Sequence, residues 1–261
     1  EVEDYQVAIT STDGNRPPGF PFTCDSTFYI TIGNGSRNPQ FLYRVNRAGS
    51  IYSFDEIGSS TSATNGYPVS FSYNALAYNP VDNYLYGMIQ TGAANGPYAQ
   101  NNVVKIGSDG ILHSIGIPTD GNGGTLPRSG YFAASILSDG TYVIGRGADF
   151  AKLDLTTSPP TILSAGSISG ANFTDFAVDP TDPTSANSGR VYGIDETGDR
   201  LVTLDVTGNN PTITSSASNP TGQNHNAGSQ FVDSFGTLYY RSNTDAKLYQ
   251  VDNDSTSPTY G

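Results

Sequence analysis

Tryptophan is absent from this 261-residue chain, cysteine occurs once and histidine twice. A lone Cys24 excludes an internal disulfide framework. With no basic or histidine neighbour close in sequence, it is expected as a small buried residue on an inner strand rather than a reactive thiol. The two histidines, His113 and His225, stand far apart with no His-x-His or His-x-x-x-His pair, so a zinc site has no sequence support. No Gly-x-Ser-x-Gly elbow is present to carry a Ser-His-Asp triad. Glutamate is confined to Glu1, Glu3, Glu56 and Glu196. Cations are scarce, 12 against 24 acidic residues, and the formal net charge of -12 argues against a basic surface for nucleic acid or anionic membrane. No apolar run approaches the roughly 18 residues of a membrane span. No signal peptide or lipidation motif is seen, so an exported form would be a mature or excised piece.

In place of charge, the chain carries Ser, Thr, Asn and 30 Gly, a composition common in secreted and cell-surface β-proteins. Gly, Pro, Ser, Thr and Asn interrupt every window before a helical i, i+3, i+4 stripe develops. What repeats instead is a short apolar stretch with one polar residue inside it: Leu42-Tyr43-Arg44-Val45, Val103-Val104-Lys105-Ile106, Phe150-Ala151-Lys152-Leu153, Leu201-Val202-Thr203-Leu204 and Leu248-Tyr249-Gln250-Val251. Successive starts lie 61, 47, 51 and 47 residues apart. Ahead of each copy runs a second register: Phe28-Tyr29, Leu85-Tyr86-Gly87, Val143-Ile144-Gly145, Val191-Tyr192-Gly193 and Leu238-Tyr239-Tyr240. Turn residues precede four of them, as in Asn79-Pro80-Val81-Asp82-Asn83 and Ser138-Asp139-Gly140, supplying the fixed or positive φ of a tight reversal.

The repeat unit is therefore two hairpins, and four antiparallel strands in about 40–50 residues make one propeller blade. We expect an all-β chain, a single β-propeller domain over residues 1–261 with five four-stranded blades. The units run from about Phe22 to Gly58, Phe71 to Gly116, Gly130 to Gly166, Asn172 to Ala217, and Gly228 to the end. The fifth is short, and the stretch Tyr5-Gln6-Val7-Ala8-Ile9-Thr10 is expected to complete it and close the ring, which would remove two sheet edges. A six-bladed ring and a solenoid are the alternatives.

Candidate site residues follow from the strand register. Inner strands begin near Asp25, Asn74, Phe132, Asp175 and Gly228, which places Asn74, Asp175 and Gln230 where they could converge at the channel mouth. The longest internal loop, Gln90 to Asn102, carries Tyr98 and is a place for recognition on a rigid scaffold. Tyr67, Tyr73 and Tyr98 are candidate stacking faces with hydroxyl handles. His225 lies in a polar loop, and His113 reads as a packed or edge strand residue. A glycosidase would need two acids flanking a scissile bond, with Asp175 and Asp25 as candidates. Asp120-Gly121-Asn122-Gly123-Gly124, Asp179-Pro180-Thr181-Asp182 and Asp252-Asn253-Asp254-Ser255 offer oxygen ligands at calcium-like spacing, though none completes an EF-hand loop and each also fits ordinary Asx turn chemistry. No cofactor is required by any motif; structural calcium is the one ion the loops suggest.

Cys24-Asp25-Ser26-Thr27-Phe28-Tyr29-Ile30-Thr31, with Phe41-Leu42-Tyr43-Arg44-Val45, Asn74-Ala75-Leu76-Ala77-Tyr78-Asn79-Pro80 and Asn83-Tyr84-Leu85-Tyr86-Gly87, resembles an uncharacterised propeller-like domain. That domain recurs in large secreted and surface-anchored bacterial proteins, often beside Ig-like modules. The resemblance implies an extracellular, multidomain setting and an adhesin-like role, and it carries no catalytic residues. The expected function is a non-enzymatic module presenting a propeller face or loop to a glycan or cell-surface protein. A glycoside hydrolase-like propeller and a purely structural spacer are the alternatives.

Overall fold

Aspartate and asparagine side chains set the reversals of this chain. The Asn79 amide oxygen accepts the Val81 N–H at 2.9 Å, the Asp139 carboxylate that of Thr141 at 2.8 Å, and the Asp233 carboxylate those of Phe235 and Thr237 at 2.9 and 3.0 Å. A second set follows the third strand of successive units: Asp109 accepts from Ile111, Asp154 from Thr156 and Asp205 from Thr207. Each is an Asx turn, in which the side chain replaces a backbone acceptor and fixes where the strand ends. Much of the acidic excess is thereby committed to turns.

The computed structural model describes residues 19–23, 27–33, 39–48, 51–61, 67, 69–179, 190–195, 200–218, 227–233, 235–245 and 247–253. They form five antiparallel sheets. The first contains β1 (Phe28–Gly33), β2 (Gln40–Ala48) and β3 (Ile51–Ser59). The second contains β4 (Ser72–Asn79), β5 (Tyr84–Thr91), β6 (Val103–Ile106) and β7 (Leu112–Gly116). The third holds β8 (Ala133–Ile136), β9 (Tyr142–Arg146), β10 (Asp149–Asp154) and β11 (Thr161–Ser167). The fourth holds β12 (Arg190–Asp195), β13 (Arg200–Asp205) and β14 (Thr212–Ser218), and the fifth β15 (Ala227–Val232), β16 (Leu238–Ser242) and β17 (Leu248–Val251). The five repeated apolar stretches fall on β2, β6, β10, β13 and β17, the third strand of each blade once the innermost position is counted, which holds no named strand among the described residues of the first and fourth blades. In the fourth sheet the innermost position is held by a bridge, with Ala177 and Tyr192 exchanging N–H···O bonds at 2.9 and 2.8 Å. The proposed closing strand, Tyr5 to Thr10, lies outside the described residues, as does Cys24.

Alternation along each strand sends neighbouring side chains to opposite faces, and the faces of successive sheets meet. Leu85 and Ile89 of β5 pack toward Phe22 and Leu42 of the first unit, whereas Tyr86 and Met88 pack toward Tyr142 and Ile144 of the third. Val143 and Phe150 turn the other way, onto Val191, Val202 and Leu204 of the fourth. Tyr192, Ile194 and Leu201 in turn meet Leu238, Tyr240 and Val251 of the fifth. Four cores thus join five sheets in series, each fully buried large side chain contributing about 1.5–3 kcal/mol. The Phe28 and Phe231 rings lie 5.3 Å apart, bringing the first sheet against the fifth. The series is a ring, a five-bladed β-propeller, and not a solenoid.

The polar residue inside the repeated stretch has distinct uses. The buried Lys152 reaches into the fourth blade, where its ammonium donates to the carbonyls of Val206, Thr207 and Gly208 at 3.0, 3.2 and 2.9 Å. Lys105 pairs with Asp82 at 2.8 Å and stands over the Tyr84 ring. Between third and fourth strands the register slips by one residue in each of the four blades that show this pair, at Leu42/Tyr43, Val103/Val104, Lys152/Leu153 and Thr203/Leu204.

Candidate functional site

The inner strands start at one end of the ring and finish at the other, so each first-hairpin turn falls at the finishing end. There the five blades surround a cavity of about 600 Å³. Its wall comes from the inner-strand segments: Phe22 and Thr23 in the first blade, Leu76 to Tyr78 in the second, Ala134 to Ile136 in the third, Phe176 to Val178 in the fourth and Gln230 to Val232 in the fifth, with Thr27, Phe28 and Tyr29 of the first hairpin at the side. Apolar carbon dominates this surface, and no Asp or Glu appears among the described lining residues. Outside the cavity, the turns of this end also expose apolar groups: Val81 in the second blade and Phe235, 89% exposed, in the fifth, beside the half-exposed Phe28.

Asp175 and Gln230 meet along the channel wall. One Asp175 carboxyl oxygen accepts the Phe176 N–H at 2.8 Å and the Ala134 N–H at 3.4 Å; the other accepts the Gln230 N–H at 2.8 Å. A single carboxyl group therefore ties the inner segments of the third, fourth and fifth blades. Burial raises its pKa from the ordinary 3.8 to about 7, against the opposing pull of those backbone N–H bonds. The side-chain amide of Gln230 donates back to the Asp175 main-chain oxygen at 3.0 Å. That bond fixes which way the amide points. It leaves Gln230 Oε1 buried with no hydrogen-bond partner among the described residues, on a side chain that lines the cavity.

Of the residues expected from sequence, the structure brings Asp175 and Gln230 together and keeps Asn74 apart. Asn74 is exposed at the starting end of β4, where its side-chain oxygen accepts the Ala75 N–H at 2.9 Å, and it is not part of the cavity wall. Tyr98 is a correction. It is fully buried, stacked on Phe71 with ring centroids 4.6 Å apart and donating its hydroxyl to the Leu112 carbonyl at 3.0 Å. Tyr67 and Tyr73 are buried in the same core. The loop from Gln90 to Asn102 folds back on its own sheet because the Asn102 amide donates to the Gly96 and Ala99 carbonyls and accepts from Ser114, which delivers Tyr98 inward as a plug. His225 and Asp25 lie outside the described residues. The Asp120 carboxylate accepts the Asn122 and Gly124 N–H groups of its own loop at 2.9 and 2.8 Å, the capping arrangement of an Asx turn. The other two calcium-like stretches lie partly outside the described residues. Among the described residues, no group of three His, Cys, Asp or Glu side chains is placed to hold a metal.

Sequence reasoning missed the apolar character of the channel end, whose signal was present: Leu76, Ile136, Val178 and Val232 recur shortly before the first-hairpin turn.

Solved structures of similar fold include two of glucose dehydrogenase, at 12% and 13% identity, each with a TM-score of 0.51, covering 90% of this chain and 80% and 79% of theirs. The periplasmic gluconolactonase of Pseudomonas aeruginosa is similar at 11% identity and a TM-score of 0.48, over 86% of this chain and 66% of that one. At these identities the likeness is one of fold alone. No curated protein matches the sequence. The family model described as "Repeat of unknown function (DUF6923)" matches residues 29–260, and the chain belongs to that family.

Proposed function

We propose that this propeller is a non-enzymatic binding module of a secreted or surface-attached bacterial protein, and that its ligand is a protein segment seated on the finishing end of the ring. The observation that carries this is the apolar channel cavity of about 600 Å³, walled by inner-strand segments of all five blades. A large apolar or aromatic side chain of the ligand fits such a wall, because seating it there removes apolar surface from water at about 25 cal/mol per Å². The apolar groups exposed at this end, Phe28, Val81 and Phe235, provide a flanking contact surface.

The glycosidase alternative asks for a pair of carboxyl groups across a pocket, about 5–10 Å apart. Asp175 spends its oxygens on three backbone N–H groups, and the described cavity wall adds no second acid. An adhesive role and an extracellular setting remain part of the proposal, supported by the Ser/Thr/Asn/Gly surface chemistry.

Panning the isolated chain against a random peptide library tests it. Recovered peptides should carry a large apolar or aromatic anchor. Replacing that anchor by alanine should weaken binding at least about tenfold, as expected for losing about 1.5–3 kcal/mol of buried apolar side chain, and Phe28→Ser in the cavity wall should weaken the peptides too. Peptides that bind equally well to Phe28→Ser, or glycan-array binding that depends on this end while no peptide binds, would overturn the protein-ligand assignment.

A further inference from the structure

At the starting end of the ring, where the second-to-third strand connections and the links between blades lie, a separate basin of about 490 Å³ is lined by Asn101, Leu126, Pro127, Arg128, Ser129 and Arg146. Its floor is built, not incidental. Asn101 adopts a left-handed φ of 69° at the turn into β6. From there its side chain reaches across to the third blade, donating to the Arg128 carbonyl at 3.4 Å and accepting the Gly130 N–H at 3.2 Å. That staple fixes the segment 126–130 beside the end of β9, where Arg146 donates from Nη1 to the Ser129 carbonyl. Arg128 is held from the other side by Nε against the Asp149 carboxylate at 2.5 Å. Each guanidinium is thus oriented through one nitrogen, Nη1 of Arg146 and Nε of Arg128.

Only 12 cationic side chains exist in this acidic chain, and two of them share this basin. Two guanidinium groups and the Asp149 carboxylate leave one net positive charge. Close to them the Tyr131 hydroxyl is buried. Burial foremost, and then the Asp149 charge, push the Tyr131 pKa up to about 12, while the Arg128 backbone N–H and then the Arg128 and Arg146 charges pull it down; the two cations are close enough to act on that hydroxyl.

We propose that this basin is an anion site for a carbohydrate bearing a single carboxylate, a uronate-type sugar, held by Arg128 and Arg146. Planar guanidinium forks match a carboxylate through paired N–H···O bonds. Pro127 and Leu126 offer an apolar face to the C–H side of a sugar ring, and the Ser129 hydroxyl offers a polar one to its hydroxyls. The overall charge of -12 disfavours a densely charged polyanion, since the long-range field would repel it. An otherwise neutral glycan with one acidic sugar meets that field with a single charge and the basin with its full complement. This site is independent of the channel end and stands whether or not that end binds protein.

Calorimetric titration of the whole chain with glucuronosyl-xylobiose, xylotriose and a triglutamate peptide tests the assignment. The uronate sugar should bind, xylotriose at least about tenfold more weakly, and Arg128→Gln and Arg146→Gln should each cost about tenfold to a hundredfold, the range for a charge-assisted hydrogen bond. Arg146→Lys should restore little, because a point charge does not reproduce the fork. Unchanged thermal midpoints in these variants would show that the loss is local. Equal binding of the neutral trisaccharide, tighter binding of triglutamate, full affinity in both Arg→Gln variants, or no uronate binding at millimolar concentration would each overturn the proposal.

Discussion

The ring of Phe176 lies against the α-carbon of Gly145, so closely that a Cβ built on Gly145 would stand 2.4 Å from Cε2. Gly193 stands in the same relation to Phe173, at 2.5 Å, and Gly87 more loosely to Tyr73, at 3.1 Å. The glycine recurring in Tyr86-Gly87, Ile144-Gly145 and Tyr192-Gly193 is therefore a seat for an aromatic ring. Gly145→Ala should displace the Phe176 ring, which also lines the channel cavity, and cost about 1–3 kcal/mol. Denaturant melts check this. Gly145→Ala combined with Phe176→Leu should recover part of the loss, because the smaller side chain frees the seat.

Stability should carry a pH dependence from Asp175. Its folded pKa of about 7 stands above the ordinary 3.8 expected of the unfolded chain. Between about pH 4 and pH 7 the folded state holds the additional proton, so this contribution falls as pH rises through the window and is level above it. The change is on the order of 4 kcal/mol at most. Asp175→Asn removes the titration: the stability difference between wild type and variant, from chemical denaturation at pH 4.5 and 7.5, should move against the wild type at the higher pH. A difference that stays constant across that range contradicts the burial of the carboxyl group.

Lys152→Met should destabilise the chain by about 1–3 kcal/mol. Methionine fills the space but leaves the Val206, Thr207 and Gly208 carbonyls without their donor. Hydrogen exchange should then quicken in β13 and β14 more than in β4 and β5.

Tyr98→Phe separates the core role from a binding role. Losing the bond to the Leu112 carbonyl should cost about 1 kcal/mol in unfolding experiments. Affinity for peptides selected on the channel end should be unchanged.

Much of the fold was legible because each blade repeats its signals. The apolar stretches marked the third strands, the Tyr-Gly and Ile-Gly pairs marked the second, and Asx-rich turns marked the first reversal. The site was less legible. Asp175 and Gln230 sit 55 residues apart and meet because the fourth and fifth inner segments stand side by side, which the strand register anticipated. Asn74 occupies the corresponding region of its own blade, but there the left-handed Ala75, at φ 55°, and the irregular register between Asn74 and Ala77 leave it at the rim. Tyr98 looked like a loop residue because Gly92, Asn95, Gly96 and Pro97 surround it; only the inward hydrogen bonds of Asn102 reveal that the loop is a cap. The basin of Arg128 and Arg146 joins two blades through Asn101, a contact that spacing within one repeat does not encode.

The slip between third and fourth strands recurs around the ring, and each time it leaves one extra residue on the outer strand: Ile57, Ile115, Leu163 and Thr214. Two of these turn back inward, Ile57 against the core between the first and second blades and Ile115 into the core between the second and third. The perimeter is thereby pinned to the interior at its points of misfit, and an insertion on the circumference has to leave those two side chains in place.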